Sequence, residues 1–488
     1  MNNLSKNKEI KKKLNKKKKG KNMFDGQKAV MENFGTYEKK YKKYFDVFEK
    51  KSSKAKANKR VDEWDLAVLG AQLQQFENWK SFKEANGSAD DLGVLPRIAL
   101  DVITAANASS VIPLFASVQP INERKGLVWF KNVVALNTRG NIKAGETLLS
   151  ATQGRVGIPE GYAGEIVADE VDATGDGKTT DFNFVVKYPP VRLRTVTIKV
   201  DGQANTKLID DGQGNLIGVG GKGTINYQTG EVKVSFDTAP ANGAAIKSTY
   251  ATNLEDLNEL QTIQTQFDST EITARTFALR TEIGLFKSYE MQKRFNLNPE
   301  EVLAQDLVNE LTTNISTEVV KKLYQAAPGS LTWDRQAPSG VGYMEHLLSF
   351  TATLAEAENK ILEQSGRIGG DIVYVVGTSV AGILRAMPGF VPAQDVKATL
   401  GTHFYGTLDG RPVVRSIVMP ANEMIVVSKG DDPFTAAVVY APYMPLFVTD
   451  TFSGMNHNPL NAQKAAAAMA GSKAVVPTLA TRIVVNNA

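Results

Sequence analysis

Cysteine is absent from the sequence, and histidine occurs only three times in 488 residues. The first absence removes disulfide scaffolds and thiolate chemistry, and fits a reducing compartment. The second leaves His346, His403 and His457 far apart, none with a second ligand at helical or hairpin spacing. Ordinary structural histidine is their default reading, and no metal site is expected. Long apolar runs are missing too. The most apolar window, DIVYVVGTSVAGILRAMPGFVPA, is broken by Arg385, Pro388 and several glycines. It reads as strand, turn and helix, so no membrane partner is expected.

Reaction motifs come close and fail. TGDGKTT at 174–180 ends like a phosphate loop, but position 172, where the first glycine belongs, is Asp. DATGDG at 172–177 begins like a calcium loop, but position 183, where the bidentate Glu belongs, is Asn183. GTSVAG at 377–382 lacks the second glycine of a nucleophile elbow; it reads as a helix start capped by Thr378 or Ser379. DDGQGN at 210–215 reads as a hairpin turn. No catalytic or cofactor-binding residue is therefore expected, and an enzyme ranks last among the functional classes.

What is present is charge, unevenly placed. The chain carries a net charge of only +5. Residues 1–60 hold 21 Lys and Arg against 6 Asp and Glu, leaving 36 against 46 for the rest. A basic head is joined to an acidic body, which marks an interaction tail. No apolar stretch follows the lysines, as a secretory signal would require, and a mitochondrial leader would favour Arg and Ser.

Residues 23–84 read as helical, with an apolar stripe at Leu66, Leu69, Leu73 and Phe76. Gly87, Gly93 and Pro96 mark a boundary. Residues 97–112 read as a helix closed by Pro113, GLVWFKNVVAL as a strand, and 137–165 as an extended loop. From 167 to 254, alternating strands and Gly-rich turns, including the hairpin GTINYQTGEVKVSF, predict an inserted all-β module able to fold alone.

The clearest helix spans 299–326. Asn298 is its N-cap and Pro299 its first residue, with Glu300 and Glu301 in the first turn and Lys321 and Lys322 in the last. Leu303, Leu307, Leu311, Ile315, Val319 and Leu323 step by four along one face, so Leu311 and Ile315 are expected in the core. A second helix is expected at 342–365, followed by mixed strands and helices. The class predicted is α+β rather than doubly wound α/β.

Five stretches in order resemble the major capsid proteins of tailed bacteriophages, most closely those of large contractile-tailed phages. They are LPRIALDVITAANASSVIPLFASVQPINERKGLVWF at 95–130, GGDIVYVVGTSVAGILRAMPGF at 369–390, FYGTLDGRPVVRS at 404–416, VVYAPYMPLF at 438–447 and LATRIVVNNA at 479–488. The resemblance implies an HK97-type capsid fold. It implies an N-terminal arm at 85–125, an extended loop at 126–166 and 255–270, and an Ig-like insertion at 167–254. A peripheral domain follows at 271–340 and 441–488, with 299–326 as its spine helix, and an axial domain at 341–440.

The function so implied is a major capsid protein of the virion, assembled in the bacterial host cytoplasm into an icosahedral head around the genome. Its partners would be copies of itself in pentamers and hexamers, an internal scaffold protein, a prohead protease, the portal and, weakly and nonspecifically, double-stranded DNA. A lysine-headed nucleic-acid-binding protein and a tail sheath protein are the alternatives. Related phages remove an N-terminal propeptide by cutting after Glu, with an apolar residue two positions before and a small residue after. Phe82, Glu84 and Ala85 fit that pattern, which makes residues 1–84 an internal scaffolding segment. Its loss would leave 34 basic and 41 acidic residues, a lining on which packaged DNA slides rather than sticks.

Overall fold

The computed structural model describes residues 30–55, 61–86, 99–150, 154–155, 164–203, 206–257, 260–365, 371–393, 401–430, 434–449, 452–453 and 461–487. The lysine head, the boundary at 87–96 and His457 lie outside the described residues. The helices used below are α1 (Phe34–Ala55), α2 (Glu63–Asn86), α3 (Ala99–Ser109), α4 (Ile112–Phe115), α5 (Leu285–Phe295), α6 (Pro299–Ala326), α7 (Tyr343–Ser365) and α8 (Thr378–Ala386). The chain divides into two compact units, residues 131–267 and the remainder. Helices and mostly antiparallel sheets mix without βα alternation, so the α+β class expected from the sequence is the class observed.

In the larger unit, a seven-stranded sheet runs in the order 331–334, 480–486, 423–429, 371–376, 411–415, 403–408, 390–392. Its centre, Asp371–Val376, is flanked by an antiparallel partner and a parallel one. Burial on both faces explains why DIVYVV is a continuous apolar run. Tyr374 donates to Glu358 of α7 at 2.6 Å and accepts from Arg411 at 2.9 Å. These bonds tie α7 to the sheet. The second sheet joins 117–118, 438–448, 461–474 and 275–284. Strand Asn461–Ala474 is alanine-rich, and α6 packs against it. The face of α6 is core as expected: Leu307, Leu311, Ile315, Val319 and Leu323 are buried, and Leu303 is half-buried.

The smaller unit is entered through Lys125–Ala135 and left through Ile263–Thr273. It holds one antiparallel sheet of eight strands, in the order 166–174, 245–251, 197–200, 207–210, 215–219, 221–225, 231–236, 181–185. The hairpin is where the sequence placed it, with Ile225 opposite Val232. Every strand contributes to one core, which includes Ile198, Leu208, Leu216, Val232 and Ile246. Outward and inward residues therefore alternate along most strands. The two suspect loops are turns. Asp176 accepts the backbone N–H groups of Lys178 and Thr179, which holds its carboxyl down at about 2 with the Thr179 hydroxyl as the largest cause. Asp211 does the same for Gln213 and Asn215.

Three local expectations need correction. Pro113 does not close the preceding helix; that helix ends at Ser109, and Pro113 sits in the first turn of α4. A proline has no N–H to lose there and its φ is already helical. Neither Thr378 nor Ser379 caps α8. The cap is Gly377, and the N–H groups of Ser379 and Val380 donate to the carbonyl of Ala421 instead. A Cβ on Gly377 would lie 2.0 Å from the Pro420 carbonyl oxygen, so only glycine fits. Lys321 and Lys322 precede the last turn of α6, which carries no basic residue.

Candidate functional site: the N-terminal helices and their seat

Helix α2 has apolar residues on more than one side. Leu66, Leu69, Leu73 and Phe76 form the stripe seen in the sequence, but Ala67, Val68 and Gln72 are buried as well. A helix apolar on several faces is covered on several faces. Here α1 lies on one side and strand Val438–Val448 on another.

The contact between α1 and α2 is close. A Cβ on Gly70 would come within 2.7 Å of the Tyr37 Cβ. Tyr41, at a bend in α1 (φ −112°, ψ 21°), is fully buried. Its hydroxyl donates to Glu77 at 2.7 Å. Burial first, and the Glu77 carboxylate second, hold the Tyr41 phenol protonated well above its ordinary range. Lys40 pairs with the same carboxylate.

Tyr41, Phe45 and Phe48 of α1, Leu69, Leu73 and Phe76 of α2, and Ile103 and Ala108 of α3 form one cluster. The body contributes Phe447, whose ring centroid lies 5.1 Å from Trp79 and 6.0 Å from Phe76. Such aromatic pairs each add about 1 kcal/mol beyond buried area. Polar contacts fix the register. Trp64 donates Nε1–H to the Val118 carbonyl at 3.1 Å. Asn107 donates to Gln72 at 2.7 Å, and Gln75 donates to the Ile121 carbonyl at 3.4 Å. The N-terminal segment is thus seated on the body, not merely tethered to it.

Of the processing residues, Phe82, Glu84 and Ala85 lie in the final turns of α2, with helical backbone. The seat itself escaped sequence reasoning, because Phe447 lies far along the chain from its partners. The one available signal was Trp79, an aromatic off the Leu66–Phe76 stripe.

Of the three histidines, His346 and His403 are among the described residues. His346 stacks on Trp333 at 5.1 Å and hydrogen-bonds the Asp334 carbonyl at 2.7 Å. His403 is half-buried, and burial lowers its pKa. Among the described residues no cluster of His, Asp or Glu could hold a metal, and no helix is long and apolar enough to cross a membrane. A groove of about 240 Å³ beside α6 is lined by Ile315, Val319 and Gly471, with the Arg275–Glu318 ion pair at 3.6 Å.

What the chain offers is packing surface: a seated helical layer, a long helix on an alanine-rich sheet and an inserted β unit. That is the equipment of a structural subunit. A family model described as "Major capsid protein Gp23" matches residues 94–477, and the chain belongs to that family. It is a major capsid protein of a phage head, a virion component that assembles with copies of itself, and its family is structural rather than enzymatic.

Solved structures overlap only in part. A chain from Mycobacterium phage Che8 is 16% identical, covering 46% of this chain and 75% of its own, with a TM-score of 0.32. The mature capsid of bacteriophage PhiM1 is 15% identical over 49% and 78%, with a TM-score of 0.31. The capsid of cyanophage P-SCSP1u is 13% identical over 49% and 80%, with a TM-score of 0.32. At such scores these overlaps carry no argument, and the assignment rests on the family match. No curated protein matches the chain.

Proposed function

We propose that the chain builds an icosahedral head of HK97 type as pentamers and hexamers, with residues 1–84 as an internal scaffolding segment that a prohead protease removes after Glu84. The observation that carries this reading is the seat of α1 and α2. A segment that will be cut away still has to be held in place during assembly, and Phe447 with the Val118 and Ile121 carbonyls holds it. The family match begins at residue 94, beyond α2, which supports treating the segment as separable.

Glu84 lies two residues from the end of α2. Helix ends fray, so the scissile bond reaches the extended form a protease needs at small cost. Cleavage alone leaves α1 and α2 held by side-chain contacts; their release follows when the shell rearranges. The lysine head then faces an internal acidic scaffold before cleavage and is gone before DNA fills the head through the portal. On this reading the N-terminal arm, extended loop, peripheral and axial regions follow the boundaries given above, with one refinement. Strand Ala480–Asn486 shares the seven-stranded sheet with Asp371–Val376, so peripheral and axial regions are stitched by one sheet.

N-terminal sequencing of the subunit from DNA-filled particles tests the proposal. A chain beginning at Ala85 is expected. Subunits that still begin at Met1 would overturn it and leave DNA binding as the role of the lysines.

A further inference from the structure

Helix α5 has almost no support from its own chain. From Phe286 to Leu297 no side chain is fully buried, and Phe286, Tyr289 and Phe295 are 73%, 60% and 66% exposed. An isolated helix of 11 residues is marginal in water. Three large aromatics held out to solvent on such a helix call for a partner. Phe286, Tyr289 and Lys293 are three and seven residues apart, so they share a face, and the Lys293 ammonium lies 5.6 Å from the Tyr289 ring centroid. Lys287 and Arg294 extend that face, and Glu290 is the helix's one acid.

Helix α7 presents the complementary surface. Its inner face is core, through Leu347, Phe350, Leu354, Ala357 and Ile361. Its outer face is polar only in part, unlike a fully solvated helix face. Met344, Leu348, Ala355 and Leu362 are exposed and keep helical spacing, forming an apolar stripe along the helix. Immediately beside it run Glu345, Glu356 and Glu363, each one residue after a member of the stripe. All three are exposed, and none forms an ion pair among the described residues.

We infer that α5 of one copy docks on the outer face of α7 of a second copy. This rests on the capsid reading and gives it one particular contact. The Phe286 and Tyr289 rings cover the apolar stripe, and Lys287, Lys293 and Arg294 meet the row of three glutamates. Opposite charge on matched apolar faces is the pattern of a specific interface rather than of nonspecific adhesion. The two faces are different surfaces of the same chain. Under the capsid reading the contact is heterologous and repeats around a capsomer ring rather than pairing two copies about a two-fold axis.

A charge-swap experiment on the full chain tests this. One variant carries Lys293→Glu with Arg294→Glu; the other carries Glu356→Lys with Glu363→Lys. All four positions are exposed, so circular dichroism melts should match the unaltered protein. Each variant alone should lose about tenfold or more of its assembled fraction by sedimentation velocity, because like charges then face each other. An equimolar mixture should recover assembly. In the mixture the reversed α5 of one variant meets the reversed α7 of the other, and unaltered α5 meets unaltered α7, so every contact pairs opposite charges when the two alternate around rings of even number.

Phe286→Ala, which alters no charge, should also weaken assembly. Either charge variant assembling like the unaltered chain would overturn the interface, as would a mixture no better than its components. An unaltered chain that forms no particles in the same experiment would contradict the capsid reading beneath it, a different failure.

Discussion

The eight-stranded sheet and the N-terminal helical layer solve the same problem in opposite ways. The sheet draws its core from one continuous stretch. Its cluster runs from Ala135 to Tyr250 and includes Ile142 and Leu148 from the loop that leads into it. The helical layer draws on residues from Tyr41 to Ala108 and then on Phe447. The first closes its core without outside help. The second is completed by a strand more than three hundred positions away in the chain. A self-sufficient unit can be inserted or removed as a block, whereas a borrowed core makes a docked segment whose stability depends on its seat. That dependence suits a scaffolding segment meant to be lost.

The largest effect should come from separating the two. A fragment of residues 131–267 should fold cooperatively, giving dispersed NMR spectra and a sharp thermal transition. A fragment of 30–86 should show little helix by circular dichroism, because two helices without Ile103, Ala108 and Phe447 cannot close their core. An unfolded 131–267, or a stable 30–86, would break the comparison. The narrower fragment 167–254 should melt lower than 131–267, since it lacks Ala135, Ile142 and Leu148.

A smaller effect sharpens the account of the sheet's interior. Glu170 and Asp172 lie on the same side of strand Ile166–Thr174. Glu170 is buried, accepting from the Tyr250 hydroxyl at 2.8 Å and the Lys187 N–H at 2.9 Å. Asp172 is pushed up to about 7, by burial first and then by Glu170, with the Ser248 hydroxyl and, less, Lys187 opposing. A carboxyl whose pKa rises on folding stabilises the fold while it stays protonated. Its contribution is complete below the unfolded value of about 4 and is lost as pH rises through the folded one. The 131–267 fragment should therefore lose about 2 kcal/mol of stability between pH 4 and 7. Asp172→Asn should flatten that slope, and a variant with an unchanged slope would move the cause elsewhere.

The same contrast explains which parts of the fold were legible in the sequence. The hairpin at Ile225 and Val232 was readable because turn and partners lie within a dozen residues. The core face of α6 was readable because it repeats every four residues. The cap of α8 was misread because its partner is the carbonyl of Ala421, some forty residues on. Pro113 was misread because a proline marks a helix start as well as a helix end, and the sequence does not say which. The basic head and the Phe82–Ala85 pattern were visible, but the seat was not, because Phe447 looks like any strand phenylalanine. The cap of α8 and the seat resisted reading because each is a contact between residues distant in the chain; Pro113 resisted it because the signal is locally ambiguous.

The most direct test of the borrowed core is hydrogen exchange on the full chain carrying Phe447→Ala. Losing a packed aromatic costs about 3 kcal/mol where the site cannot collapse. The account predicts that amides of 63–86 lose protection by roughly a hundredfold, since about 1.4 kcal/mol is tenfold. Amides of the strands between 166 and 251 should exchange as before. Unchanged protection in 63–86 would contradict the account, and so would a loss spread equally over both regions.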